Sequence, residues 1–453
     1  MRAATSAALF LGLGAGALAQ APAPAPTPAP PVSRTFSIVG ATIHPVSAPD
    51  IPSGTVVVRD GKIVSVSAGS APLAGAPVVD GAGRHVYPSL FPPLTGLGLS
   101  EIASIRATVD QSEVGDLNPD VRASVAVNFD SELLPVARSG GILVAGVTPT
   151  GGLVSGAVAV MKMDGWTRED ATLKDPAAIT VTWPDLAIDR SSTARVSVKT
   201  QQKQRDEKVE KLKEVFREAK AYAKAMAAAG KPGVPRRAVD VRLAALAPAV
   251  EGRIPVVVFA QQVVQIRDAL QWGKDEGLRI VIWGGADAWR IADDLAKAQV
   301  AVVVDSPMDL PRRDDEPYDT MFANAGKLAR AGVTVLFNDG GEDPSNARHL
   351  PHDVATAVTF GFPRDKAVAA MTLEPAKLLG VGDRLGSIEP GKDATIILTD
   401  GDILDLRSRV VGAYLDGRAL DLTDKQKRLY ERYRNRPTPP ATTRQKTQTG
   451  GSR

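Results

Sequence analysis

Cysteine is missing from all 453 residues, and histidine occurs only four times. Without cysteine there is no disulfide staple and no lipid-modified cysteine behind a leader. The fold must be held by its core, and a chain of this length buries enough apolar surface for that. Also missing are a Gly-rich phosphate loop, a Gly-x-Ser-x-Gly elbow and, in the body of the chain, a basic face interleaved with aromatics. Ser155 follows Gly151-Gly152, but no histidine can be set beside it from the sequence. A Ser-His-Asp triad therefore has no support, and neither has nucleic-acid binding. What is present, 44% apolar residues and 41 glycines, fits an α/β protein with many turns.

Arg2, the apolar stretch opening with Ala7–Leu13 and the triplet Ala17-Leu18-Ala19 read as a secretory signal over residues 1–19. The apolar run is short and rich in Ala and Gly, which argues against a stable membrane anchor. Residues 20–33 alternate Ala and Pro, fixing φ and removing donors, and form an extended tether. A periplasmic or secreted protein is expected. The formal charge is +3, or +2 without Arg2; residues 424–453 carry nine Lys/Arg against two Asp/Glu, which leaves the remainder at −5. The basic character belongs to this tail, expected to be disordered after Arg436. Weak attraction of the tail to anionic lipid stays open beside simple solvation.

Residues 34–88 alternate like strands, with Asp60-Gly61 at a hairpin turn. A second β segment, 381–423, contains the apolar strand Thr395–Leu398 and the stretch Val410–Leu415 followed by Asp416-Gly417-Arg418. Two β segments so far apart predict one small β-sandwich closed by both ends of the chain. Between them, residues 89–380 alternate strand candidates (141–147, 255–259, 279–283, 300–304 and 333–337) with helices such as 286–298 and 318–331, which is the signature of a parallel α/β barrel or a doubly wound sheet. Residues 199–229 predict a long helix stopped by Gly230 and Pro232, with Val209, Leu212, Phe216, Ala219, Ala223 and Met226 on one stripe. Such a stripe either covers a core or makes a homo- or hetero-oligomer contact, the first being the ordinary case.

Three blocks carry a resemblance to a known family. The first runs from the Asp60-Gly61 hairpin through Arg84–Gly98. The second runs from Glu101–Gln111 and Asn118–Ala123 to Gly140–Pro149. The third comprises Asn338-Asp339-Gly340, Asn346–Pro351, Leu373–Gly380 and the run Leu385-Gly386-Ser387-Ile388-Glu389-Pro390-Gly391-Lys392-Asp393-Ala394. Together they resemble the amidohydrolase superfamily, in its exported, imidazolonepropionase-like branch. The resemblance implies a TIM-like (β/α)8 barrel beside the sandwich, and hydrolysis of C–N bonds in cyclic or other non-peptide amides or dipeptides. It also implies a divalent metal such as zinc that turns water into a nucleophile, with its ligands at the C-terminal ends of the strands.

The sequence departs from that pattern where the metal would sit. The two positions of the family's His-x-His pair are Leu94 and Gly96, the fifth-strand histidine position is Phe259, and the sixth-strand region reads Val281-Ile282-Trp283-Gly284-Gly285. None of these side chains ligates a metal, so no metal and no other cofactor is expected. The eighth-strand aspartate survives as Asp339. His349 and His352 follow it and could make a relocated site, but Pro351 interrupts the pair; His44 is placed in the N-terminal β segment and His85 on the far side. If hydrolysis persists, Asp339 is the base, with Arg348 and His349 as helpers, and Glu101, Arg106, Asn338 and His352 contact the substrate. Asp110 and Glu113 are further polar candidates. The rival expectation is a pseudoenzyme that binds a small-molecule ligand or pairs with an active paralogue.

Overall fold

The structure is a computed structural model, and it describes residues 33–191, 193–229, 238–339, 343–434 and 436. The expected leader, nearly all of the tether, the Gly230/Pro232 helix stop and the tail beyond Arg436 lie outside the described residues.

The two ends of the chain meet in one sheet. Its strands are β1 (Phe36–Ile43), β2 (Ile51–Arg59), β3 (Lys62–Ala68), β4 (Val78–Asp80) and β5 (His85–Pro88), joined after a long excursion by the C-terminal pieces. The excursion contributes β6 (Val144–Val147), β7 (Val154–Lys162), β8 (Thr172–Thr182), β9 (Val256–Ala260), β10 (Ile280–Gly284), β11 (Val302–Val304) and β12 (Val335–Phe337). The C-terminal pieces are β13 (Ile396–Thr399), β14 (Val410–Leu415) and β15 (Arg418–Ala419). The composite sheet has eight strands in the order β15-β14-β13-β5-β1-β2-β3, with β4 also on β1. Asp60 and Gly61 take positive φ at the β2–β3 turn, as this hairpin geometry demands.

Instead of the two stacked sheets of a sandwich, hydrogen bonding joins all eight strands into one. Period-two alternation gives that sheet two different faces. Val86, Ile396 and Leu398 join Ile38, Val56, Val58 and Ile63 in a small core of their own. The alternate residues Tyr87, Ile397, Ala413 and Leu415 belong to the main core.

The main core surrounds a second sheet of seven strands, β12-β11-β10-β9-β8-β7-β6. From β8 to β12 every pairing is parallel, with the helices Val263–Glu276, Ala292–Lys297 and Thr320–Arg330 between successive strands. The first two pairings, β6–β7 and β7–β8, are antiparallel. This departs from eight uniform βα units. The short β7–β8 connection, holding only the one-turn helix Arg168–Ala171 capped by Thr167, cannot make the crossover that parallel strands need. The sequence reading missed both of these strands. The expected helix 286–298 is split into a 3-10 turn, Ala288–Ile291, and a short α-helix, Ala292–Lys297.

The segment after β5 runs beside β6 in the parallel sense, bridging at Leu90–Ile142 and Thr95–Val147. Gly146 N donates to Pro92 O at 2.9 Å, and Thr95 N to Gly146 O at 2.8 Å. Its other side meets the far edge of the sheet, where Leu94 N donates to Asn338 Oδ1 at 3.1 Å.

The long helix forms over Val198–Ala228, capped by Ser197. Its stripe is buried: Leu212, Val215, Phe216 and Ala219 join the main core, and Phe216 meets Trp272 edge-on at 4.9 Å. The apolar face is therefore consumed within the chain, as a covering helix requires. Truncating this anchor leaves a cavity, so Phe216→Ala should cost about 3–5 kcal/mol, read as a lower denaturant midpoint. An unchanged midpoint would contradict the assigned burial.

Candidate active site at the strand ends

The parallel strands point their C-terminal ends to one side, and the polar residues there form a connected group. Asn338 and Asp339 follow β12 directly and are buried. Thr95 Oγ1 donates to Asp339 Oδ2, and Leu97 N donates to Thr95 Oγ1 at 3.2 Å. Asn338 uses both ends of its amide: Oδ1 accepts from Leu94 N, while Nδ2 donates to Asp305 Oδ1 at 3.4 Å. Asp305 Oδ1 also accepts from Trp283 Nε1 at 2.9 Å. Trp283 stands edge-on to Phe259 at 5.2 Å. Two aromatic rings thus occupy the ends of β9 and β10.

The two positions expected to carry imidazoles are closed in different ways. Leu94 is fully buried. At Gly96 a Cβ would overlap the Gln111 amide, whose Nε2 is buried with no hydrogen-bond partner among the described residues. Gln111 therefore occupies the space into which a side chain at position 96 would grow. Gly284 is used similarly, since the Gln261 side chain lies across it and a Cβ would come within 2.6 Å of Gln261 Nε2. Among the described residues no group of three or more His, Asp or Glu could hold a metal ion. The ligand set of the resemblance does not fit these strand ends: Leu, Phe and Trp side chains and an amide-filled glycine stand where lone pairs are required.

The other expected site residues fall into separate groups. Arg348, His349 and His352 stay together: Arg348 Nε lies 3.3 Å from His349 Nε2, and the two imidazoles are 6.1 Å apart. Both histidines titrate below the ordinary value because of burial, His349 also because Arg348 is beside it. The Arg348 backbone packs on Gly140, at the C-terminal end of the helix Leu133–Ser139. Glu101 accepts from Ser131 Oγ and Glu132 N and so pins a loop. Arg106 donates to Val109 O at 2.7 Å within its own exposed turn. Asp110 and Glu113 line a separate shallow pocket of about 370 Å³ with Gln111 and Ser112. His44 and His85 bond to each other at 2.9 Å in the composite sheet, His44 also holding Asp50 at 2.8 Å.

Several residues at the strand ends escaped the sequence reading. Thr95 lies between the two aligned positions, and Asp305 ends an apolar strand just as Asp339 does; either signal could have been read. The clamp on the loop after β11 could not. There Arg313 grips Asp287 through Nη1 and Nη2 at 3.0 and 2.7 Å and Glu316 at 2.6 Å, which raises the Arg313 pKa. Charge-assisted pairs of this geometry hold a loop in place. Close by, Asp353 in the first turn of the helix Leu350–Thr359 is pushed up to about 6 by burial, with the Ser306 hydrogen bond opposing and the Asp309 charge adding.

Residues 291–425 match the amidohydrolase family. A segment of 98 residues is 37% identical to amidohydrolase tasK of Hapsidospora irregularis, covering 21% of this chain and 10% of that protein. Another of 89 residues is 33% identical to the 5-methylthioadenosine/S-adenosylhomocysteine deaminase of Teredinibacter turnerae, covering 18% of this chain and 20% of the enzyme. The chain thus spans between a tenth and a fifth of the curated relatives it matches. An amidohydrolase structure from Thermotoga maritima superposes with a TM-score of 0.75 at 26% identity, covering 85% of this chain and 99% of that one. A Xaa-Pro dipeptidase with bound methionine shares the fold at a TM-score of 0.52 and 14% identity, over 85% of this chain and 99% of the other. Over residues 291–425 the chain is thus similar to the amidohydrolase family, and its fold is similar to that of an amidohydrolase structure.

Two outcomes follow from the site geometry. Gly96→Ala should destabilise the protein, and combining it with Gln111→Ser should recover most of the loss, a coupling measurable in a double-mutant cycle; additive effects would remove Gln111 from that space. Asp353 holds its proton more tightly folded than unfolded. The stability it contributes is therefore present below its unfolded value of 3.8 and lost as pH rises through about 6. Asp353→Asn should thus stabilise the protein relative to wild type at pH 7 to 8 but not below about pH 4, compared by thermal melting; an equal shift at both pH values would refute the assignment.

Proposed function

We propose that this chain is an exported amidohydrolase-family protein whose C–N bond chemistry, on cyclic or other non-peptide amides or dipeptides, does not run through the family's metal centre. The observation that carries this reading is the replacement of the ligand space by Leu94 and by the Gln111 amide packed on Gly96. The same reading treats segment 89–97 as the irregular eighth stave of a (β/α)8 barrel. Its support is the bonding of that segment to β6 on one side and to Asn338 on the other.

A hydrolytic step would use groups already in place. Asp339 would take a proton from water as it attacks the scissile carbonyl, and Thr95 would orient the carboxylate. That route starts from water that no cation has acidified, so it demands a reactive amide. The burial of both Thr95 and Asp339 favours a second reading, a pseudoenzyme that binds a ligand or pairs with an active paralogue. A small-molecule ligand is common to both readings. Export rests on the leader-like residues 1–19.

Elemental mass spectrometry of purified protein equilibrated with zinc and manganese should find well under one ion per chain; about one ion per chain would overturn the metal-independent reading. Asp339→Asn then separates the alternatives. A hydrolase loses turnover of cyclic amides or dipeptides while staying folded, whereas a pseudoenzyme shows no turnover to lose.

A further inference from the structure

The helix Lys425–Arg434 follows the composite sheet and buries none of its residues. Its start is fixed: Asp424 is buried and accepts from Lys427 N at 2.8 Å, and Arg428 reaches Glu132 at 3.1 Å. The remainder presents Leu429, Tyr430 and Tyr433 to solvent at 37%, 64% and 57% exposure. At 3.6 residues per turn these three side chains fall within roughly 100° of one another. Lys427 and Arg434 lie along one margin of that stripe and Lys425 and Arg432 along the other, while Glu431, the helix's one acid, lies on the opposite side. Arg432 and Arg434 approach the rings of Tyr433 and Tyr430 at 5.6 and 5.7 Å. Beyond the helix, residues 436–453 add Arg436, Arg444, Lys446 and Arg453 and no acid.

The geometry points to this helix as an interfacial docking element for an anionic phospholipid surface. A narrow apolar-aromatic stripe with cations on both margins suits a helix lying in the headgroup layer: Leu and Tyr enter the acyl boundary while Lys and Arg meet lipid phosphates. Basic residues near such a surface are drawn to its anionic phosphates. The helix and the residues after it carry nine cations against one acid. A nucleic acid would satisfy the cations but offers no apolar volume for Leu429 and the exposed tyrosine rings, so lipid is the better match. Among the described residues no helix is long and apolar enough to cross a membrane, so contact through this element is peripheral and reversible.

The test is flotation of the full chain with phosphatidylcholine vesicles and with vesicles containing phosphatidylglycerol, using variants that all keep the same N-terminal segment. Binding to the anionic vesicles should be at least about tenfold stronger and should fall steeply with added salt. Tyr430→Ser combined with Tyr433→Ser should weaken it about fivefold or more at low salt, with the circular dichroism spectrum unchanged. Arg432→Glu should weaken it without touching the stripe. Equal binding to both vesicle types would overturn the proposal. So would undiminished binding of the tyrosine variant, or tighter binding of a DNA duplex than of anionic vesicles.

Discussion

The seven-stranded sheet ends in β6 and β12, and the segment after β5 bonds to residues at both of those ends. Exposed edges are templates for unwanted pairing, and a closed arrangement removes them. Residues 90–95 bond to β6 through main-chain groups. Pro92 and Pro93 have no amide hydrogen to offer β12. The side chains of the last strand take over: Asn338 accepts from Leu94 N, and Asp339 accepts from Thr95 across 244 residues of sequence. These long-range bonds define where the polar network at the strand ends can form.

This has a consequence for chemistry. A residue that holds two distant segments together is constrained, and a buried carboxylate that gives up its donor meets a desolvation penalty. Asn338 and Asp339 are the residues through which the segment after β5 meets the end of β12. The Thr95 hydroxyl serves Asp339, the Leu94 amide serves Asn338, and the Trp283 indole serves Asp305. The aromatic pair Phe259–Trp283 fills volume with rings at the ends of β9 and β10.

Much of this was legible in the sequence, for reasons that differ by element. The parallel strands β9 to β12 are short Val-, Ile- and Leu-rich runs set between helical stretches, a pattern governed by burial alone. The long helix announced both its length and its buried stripe through spacing. The strands β7 and β8 did not read clearly, since Ala157, Ala159, Ala177 and Ala178 are weak strand formers fixed by tertiary packing. Of the site, Asp339 and Asn338 could be placed from the end of an apolar strand. Arg348, His349 and His352 could be placed near one another, but the sequence between Asp339 and Pro344 carries no periodicity that fixes their direction. Gln111 could not be found at all, because its role depends on a glycine fifteen residues away having no side chain.

The clearest family signal, the run from Leu385 to Ala394, proves to be structural. Lys392 is buried and donates to the Leu385 carbonyl and the Ser387 hydroxyl, with Glu389 at 3.2 Å. Asp393 is buried between Arg384 at 2.8 Å and Lys62 at 2.5 Å. Ala394 N bonds to Gly61 O, and Ile388 N to Pro45 O. Asp393 thus ties the run to Lys62 of the composite sheet and to Arg384, while Lys392 and Glu389 fold the run on itself. Removing the partners of buried Asp393 would leave its charge uncompensated. The strand ends are held by other bonds, from Thr95 to Asp339, Leu94 to Asn338 and Trp283 to Asp305. The tie between composite sheet and main unit and the polar network at the strand ends therefore rest on different residues, and each must be read from its own.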